Sequence, residues 1–263
     1  MISSPRVCLR LLSLSSKLML KALADKYERK EFLDGDPSWF MHQVEGDTNR
    51  ELLAFIASSL SYGSRRQFMP KIQFILDASH GDVTHWLLSG RYRDDIPDDG
   101  QCFYRLYSRH HMHHFLRALA EMVREYGSIK AYITPLSRQI GGGGESALTA
   151  IKSITAWFAE HGSVGVIPKD TTSSCKRLCM FLRWMVRDHS PVDLGLWADI
   201  IDKRTLIIPL DTHVMQEANR LGLIHTHTTS MATALKLTDK LRETFPDDPL
   251  KGDFALFGVG ISE

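Results

Sequence analysis

Two stretches of this chain collect residue types that can do chemistry. Residues 174–187, SCKRLCMFLRWMVR, place Lys176, Met180, Arg183 and Arg187 at i, i+4, i+7 and i+11, one stripe of a helix. Leu178, Phe181, Leu182 and Met185 fall on the adjoining apolar stripe, which should face a core. Residues 173–190 carry a formal charge of +3, from Lys176, Arg177, Arg183 and Arg187 against Asp188. An ordered basic stripe suits a phosphate-bearing partner, although a solvated helix face explains the same charge. The second stretch, residues 208–214, IPLDTHV, delivers Asp211 to a predicted helix start. Taken alone, a carboxylate there needs no role beyond holding backbone N–H groups.

Other clusters carry less. His110, His111, His113 and His114 crowd one predicted helix, and His110 and His114 lie one turn apart, where neutral imidazoles can chelate a metal. The sequence sets no Asp, Glu or Cys beside them, so a partly solvated face and no metal site are expected. The cysteines are Cys8, Cys102, Cys175 and Cys179. They have no disulfide-framework spacing, and they lack the tight group of about four ligands that an iron–sulfur cluster needs. Cys175 and Cys179 can share a helix face, but two thiolates do not close a zinc site, so helix packing is expected. Four glycines at 141–144 are followed by no Lys-Ser/Thr and fail the G-x-G-x-x-G register, which leaves a loop.

The elements that must position these residues are helices. Thr48-x-x-Glu51 is a capping box before an apolar-periodic run at 52–60, closed by Gly63. Further helices are predicted at 70–78, 82–88, 102–126 and 146–160, with an acidic turn at 94–100. Ser173 or Ser174 should cap 175–187, which Pro191 stops. Asp211 should cap 212–221, and 229–244 is the last complete helix, with another begun at 254–257. A frayed first helix is expected to run on through 21–31, and 206–210 is the best strand candidate. The fold class is therefore all-α, in one cooperative unit over residues 1–263. With 263 residues and 43% hydrophobic content, the chain can bury a sizeable core. No stretch approaches the roughly 18–20 apolar residues of a membrane span, so no membrane role is expected, and the cysteine usage suits a cytoplasmic location. A net charge of +1 excludes a polycation that grips nucleic acid by charge alone, but not a local basic patch.

Residues 174–260 resemble a bacterial family of uncharacterised conserved proteins. The pieces that carry the resemblance are CKRLCMFLRWMVR, VDLGLW, LIIPLDTHV, RLGL, ALKLTDKLR and DPLKGDFALFG, and ELLAFIASSLSYG extends it into the N-terminal half. That family is distantly similar to the helix-hairpin-helix superfamily of DNA glycosylases. The resemblance implies a two-lobed helical fold, and a final helix expected beyond residue 263. Residues 209–214 look like the superfamily's V-D-T-H segment, which implies Asp211 as the catalytic carboxylate and Lys176 as the counterpart of its catalytic lysine. The two are 35 positions apart, longer than in most of the group and similar to the archaeal 8-oxoguanine glycosylase branch. The usual hairpin reads L-P-G-V-G. Here residues 167–174 read IPKDTTSS, without the glycines that let backbone N–H groups approach a phosphate. Residues 51–67 are similar to the helix and loop that reach the strand opposite a lesion. The resemblance thereby implies DNA contacts from Tyr62, Arg65, Arg66 and Gln67; Arg177, Arg183 and Arg187 of the basic stretch and His213 are further candidates, and Trp184 and Trp197 are candidates for a base pocket, with burial in the core the favoured alternative for each. It implies no cofactor.

The implied chemistry is cleavage of an N-glycosidic bond, which builds positive charge on the sugar that a buried carboxylate stabilises. Lys176 as nucleophile gives a Schiff base and permits strand cleavage, whereas Asp211 alone can activate water. The base must first leave the stack. A DNA base-excision glycosylase, with or without lyase activity, is thus the leading expectation. Two others stay open: a non-catalytic nucleic-acid-binding protein on the same scaffold, suggested by the missing glycines, and an interaction role unrelated to nucleic acid. The discriminating expectation is geometric. The Lys176 amine and the Asp211 carboxylate should converge in one open cleft.

Overall fold

Ten consecutive residues, from Glu51 to Leu60, are buried, and the molecule is built outward from them. A computed structural model describes residues 12–139, 146–162 and 165–261. In chain order the elements are α1 (Leu14–Tyr27), 3-10 turns at Lys30–Leu33 and Pro37–His42, α2 (Asp47–Leu60), α3 (Arg65–Ser79), α4 (Val83–Leu88) and α5 (Tyr92–Asp95). Strands β1 (Cys102–Tyr104) and β2 (Tyr107–Ser108) follow, then α6 (Arg109–Tyr126), α7 (Ile129–Gln139), α8 (Ala147–Glu160) and α9 (Lys176–Val186). A 3-10 turn at Lys203–Thr205 leads to α10 (Thr212–Arg220), α11 (Met231–Arg242) and α12 (Lys251–Ile261). The fold is mostly helical, and no helix among the described residues is long and apolar enough to cross a membrane.

Phe55 of α2 anchors the centre. It stacks on Phe115 and Phe158 at 5.8 and 5.4 Å and meets Phe181 edge-on at 5.0 Å, which joins α2, α6, α8 and α9 through rings alone. Trp197 closes the cluster, edge-on to Phe181 at 5.2 Å. The last helix returns to the first: Tyr27 lies so close to Gly258 that any Cβ there would overlap its ring. Cys175 and Cys179 pack in this core, as helix spacing suggested, and burial pushes both thiols up, away from the reactive thiolate. Cys8 and the 141–144 glycines lie outside the described residues.

Four expectations need correction. Residues 102–108 form a hairpin rather than the start of a helix, turning at Arg105 with φ 50°, and α6 begins only after Ser108, which caps it reciprocally with His111. Residues 206–210 are extended but pair with no strand among the described residues; Ile208 N donates instead to Thr238 Oγ1 at 3.0 Å. Pro70 lies inside α3 rather than opening it. The Thr48-x-x-Glu51 box does not form, because α2 starts earlier, at Asp47 after Gly46.

Glu51 is used elsewhere. Its carboxylate accepts from Ile129 N at 2.7 Å and Lys130 N at 2.9 Å, capping α7 from inside the core, and from Trp197 Nε1 at 2.8 Å. Burial nevertheless outweighs these donors and raises its pKa from 4.5 to about 7. A carboxyl raised on folding contributes stability that is complete below its unfolded pKa and is lost as pH climbs through the folded one. Unfolding free energy is therefore expected to fall by on the order of 3 kcal/mol between about pH 4.5 and pH 7 on account of this group. Urea titrations across that range should show the decline in the wild type and a flatter profile in Glu51→Gln, which also starts from a lower stability because its amide sets a donor against donors.

Candidate functional site

The site begins where two helix starts are pinned together. Ser174 Oγ donates to the Leu210 carbonyl at 2.8 Å, fixing the entry of α9 against the entry of α10. Neither Ser173 nor Ser174 caps α9 by its side chain. Cys175 takes the N-cap position in the left-handed region, φ 47°, and the turn it makes leaves Lys176 as the first helical residue. Asp211 does cap α10: its Oδ1 accepts from Val214 N at 2.9 Å. Its other oxygen, Oδ2, lies 2.8 Å from Lys176 Nζ. The carboxylate thus divides its work, one oxygen holding the helix and one facing the amine. Burial opposes the charge on Asp211. The Lys176 ammonium, its hydrogen bond, the Val214 N–H and His213 together outweigh that and hold the carboxyl below its usual range. Both side chains remain about one-third exposed, at 34% and 36%, so a reacting group can reach them.

The pair lines two cavities. One, of about 300 Å³, has Phe32, Tyr62, Met180 and Phe257 as apolar walls and Asp36, Arg65, Arg183 and Asp253 as polar ones. The Phe32 and Phe257 rings meet at 4.8 Å, and Arg65 lies 5.9 Å over Phe257 while bonding Asp36 at 3.2 Å. Burial pushes the Asp253 carboxyl up even though Arg183 donates to it. The second cavity, of about 280 Å³, is lined by Ser173, Ser174, Thr212 and Thr229 beside the two helix starts. Tyr62 belongs to both, and the hairpin seats it: Tyr62 Oη donates to the Tyr104 carbonyl at 3.2 Å and accepts from Leu106 N at 3.3 Å.

Of the other residues singled out from sequence, Arg65, Arg66, Gln67 and His213 are exposed, and Arg65 and His213 line the first cavity. The rest need correction. Arg187 is 1% exposed and is spent on Asp248, Glu28 and Asp193, so it is closed to a phosphate. Arg183 is buried between Asp193 and Asp253, over the Phe254 ring at 4.8 Å, and touches the cleft only as cavity wall. Arg177 is the exception: half-buried, it lines the second cavity beside Lys176 while its guanidinium donates to the Ser59 carbonyl at 2.6 Å and to Tyr107 Oη at 2.5 Å. Trp184 and Trp197 are fully buried, and the indole of Trp197 serves Glu51. Helical periodicity put Arg183 and Arg187 on the stripe of Lys176. It did not show that acids from distant segments would cover the stripe's C-terminal half.

Phe32, Asp36, Asp253 and Phe257 were missed. The last two sit inside the quoted DPLKGDFALFG, so the signal was present but had no chemistry attached to it. Leu106, 81% exposed at the hairpin tip, gave no signal because its segment read as helix. These burials set opposite expectations for two arginines. Arg187→Ala strands several buried acids and should cost about 3–5 kcal/mol. Arg66→Ala, on an exposed surface, should stay within about 0.5 kcal/mol in the same denaturant titration.

Residues 36–262 match the model of a family described as "Protein of unknown function (DUF2400)". No curated protein and no solved structure matched the chain.

Proposed function

The chain belongs to the DUF2400 family, and from the geometry of its own cleft we propose that it is a DNA base-excision glycosylase able to form a Schiff base. The observation that carries this reading is the Lys176–Asp211 contact at 2.8 Å in a pair that lines both cavities. An extruded base fits the aromatic cavity, where Phe257 and Tyr62 offer stacking surfaces and the Asp36 and Asp253 carboxyls can read its polar edge. The adjoining phosphate fits the hydroxyl-lined cavity, beside two helix N-termini whose backbone N–H groups favour an anion. C1′ of the sugar then falls between Lys176 and Asp211. The Lys176 ammonium gives its proton to the departing base, and the freed amine attacks C1′ as the C1′–N bond breaks. Asp211 stays ionised and stabilises the positive charge on the sugar. Ring opening leaves an iminium, which water hydrolyses or which eliminates the 3′-phosphate.

The resemblance of the Asp211 segment to the helix-hairpin-helix glycosylases supports the same assignment. The second reading, a non-catalytic nucleic-acid-binding protein, is favoured by residues 167–174. They contain no glycine, and they are shaped by Asp170 Oδ1 accepting from Thr172 N at 2.8 Å.

Duplexes carrying a panel of damaged bases, incubated with the protein and borohydride, should yield a covalent adduct that Lys176→Gln abolishes. Asp211→Asn keeps a capping oxygen and should lower base release by about 10²-fold or more. Release undiminished in Asp211→Asn contradicts the assignment, and salt-dependent binding with no base released selects the second reading. In binding assays Arg66→Ala should reduce the log–log salt slope by about 1. Leu106→Ala should weaken lesion duplexes more than intact ones, because an exposed apolar tip beside Tyr62 is placed to enter an opened base step.

A further inference from the structure

Four histidines occupy the first turns of α6, and the reading above uses none of them. The chain just before the hairpin folds back over them. Arg109 N donates to the Gln101 carbonyl at 2.8 Å and His110 N to the Asp99 carbonyl at 2.9 Å, while Asp99 Oδ2 accepts from Arg109 Nη1 at 3.1 Å. This return brings in the carboxylate that the sequence did not place there. Asp98 Oδ1 lies 2.6 Å from His110 Nδ1, and the His110 and His114 rings are 4.3 Å apart. One ligand atom from each of Asp98, His110 and His114 lies within 4.8 Å of the other two.

We propose that Asp98, His110 and His114 form a binding site for a borderline divalent transition ion of the Zn(II) class, with the remaining coordination position open to water. Two imidazoles and one carboxylate are the donor set of open zinc sites, and oxygen-seeking Mg(II) or Ca(II) are poorly served by it. Tetrahedral ligands at zinc stand roughly 3.3 Å apart, so the widest separation must close by up to about 1.5 Å and the 2.6 Å Asp98–His110 contact must open, movements within reach of ring and carboxylate rotation. The ion takes the place of the proton that His110 shares with Asp98. Arg117 Nη2 approaches His114 Nδ1 at 3.4 Å, and Arg117 is held independently of that contact by Glu121 at 3.2 Å and the His161 carbonyl at 3.0 Å. His111 is no ligand, because its Nδ1 is held in the Ser108 capping box. His113 Nδ1, 3.8 Å from the second Asp98 oxygen, stands next to the set. Burial, with neighbouring cations, holds His113 and His114 below their usual pKa.

The site would clip residues 97–101 to α6 immediately before the hairpin whose Tyr104 and Tyr107 seat Tyr62 and Arg177. Its role is therefore structural and independent of the proposed chemistry. Tag-free, metal-stripped protein titrated calorimetrically with ZnCl2 should bind one equivalent and melt at a higher temperature when loaded. Co(II) should give the visible bands of a four-coordinate site. His114→Ala and Asp98→Asn should each weaken Zn(II) binding by more than about tenfold, the loss that even outer-shell partners produce. His80→Ala, which alters an exposed histidine outside the cluster, should bind as wild type does. Absence of Zn(II) binding, or affinity unchanged in Asp98→Asn, would overturn the proposal, the latter by reducing it to chelation by a surface histidine pair.

Discussion

A serine hydroxyl binding a backbone carbonyl holds two helix beginnings together, and most of what this protein can do depends on that junction. Ser174 and Leu210 meet across the entries of α9 and α10. Each helix start carries unsatisfied N–H groups and a partial positive charge, so placing two side by side concentrates a field that favours anions. Asp211 neutralises one of them as its cap while keeping an oxygen for Lys176. The left-handed residue at Cys175 completes the arrangement, because it puts the lysine at the first helical position, where its side chain can reach back across the junction.

The rest of α9 serves a different end. Arg183 and Arg187 are buried among Glu28, Asp193, Asp248 and Asp253, acids drawn from segments at both ends of the described chain. Removing any one partner leaves an uncompensated charge in a medium that solvates it poorly, so the network fixes where α12 lies against α9. Through Asp253 and Arg183 this ionic core also forms a wall of the aromatic cavity. Gly260 lets α12 run close enough to His213 that a Cβ would overlap the ring, which brings Phe257 to the cleft mouth.

Local signals in the sequence were reliable where chemistry and geometry are both local. Asp211 was legible as a cap, and the helix beginnings near 82 and 146 and the apolar run of α2 were legible too, because each depends on residues within a few positions. Glu51 misled because an N3 glutamate in a capping box and a glutamate capping a different helix from the core look alike without the tertiary contact. The hairpin at 102–108 was hidden because its short strands run straight into an amphipathic helix. Charge was the least legible quantity. A basic stripe reads as a nucleic-acid surface until the acids that cover it are known, and those acids lie 61 positions away for Asp248 and 159 for Glu28.

The central claim is that a sugar carbon is held between Lys176 and Asp211, with its base in the aromatic cavity. The most direct measurement is a crystal structure of Lys176→Gln bound to a duplex that contains a non-hydrolysable abasic-site analogue. The account predicts the analogue's ring between residue 176 and the Asp211 carboxylate, the flanking phosphate beside the starts of α9 and α10, and Leu106 at the opened step. A duplex bound on another face, or a sugar ring outside the junction of the two helices, would contradict it.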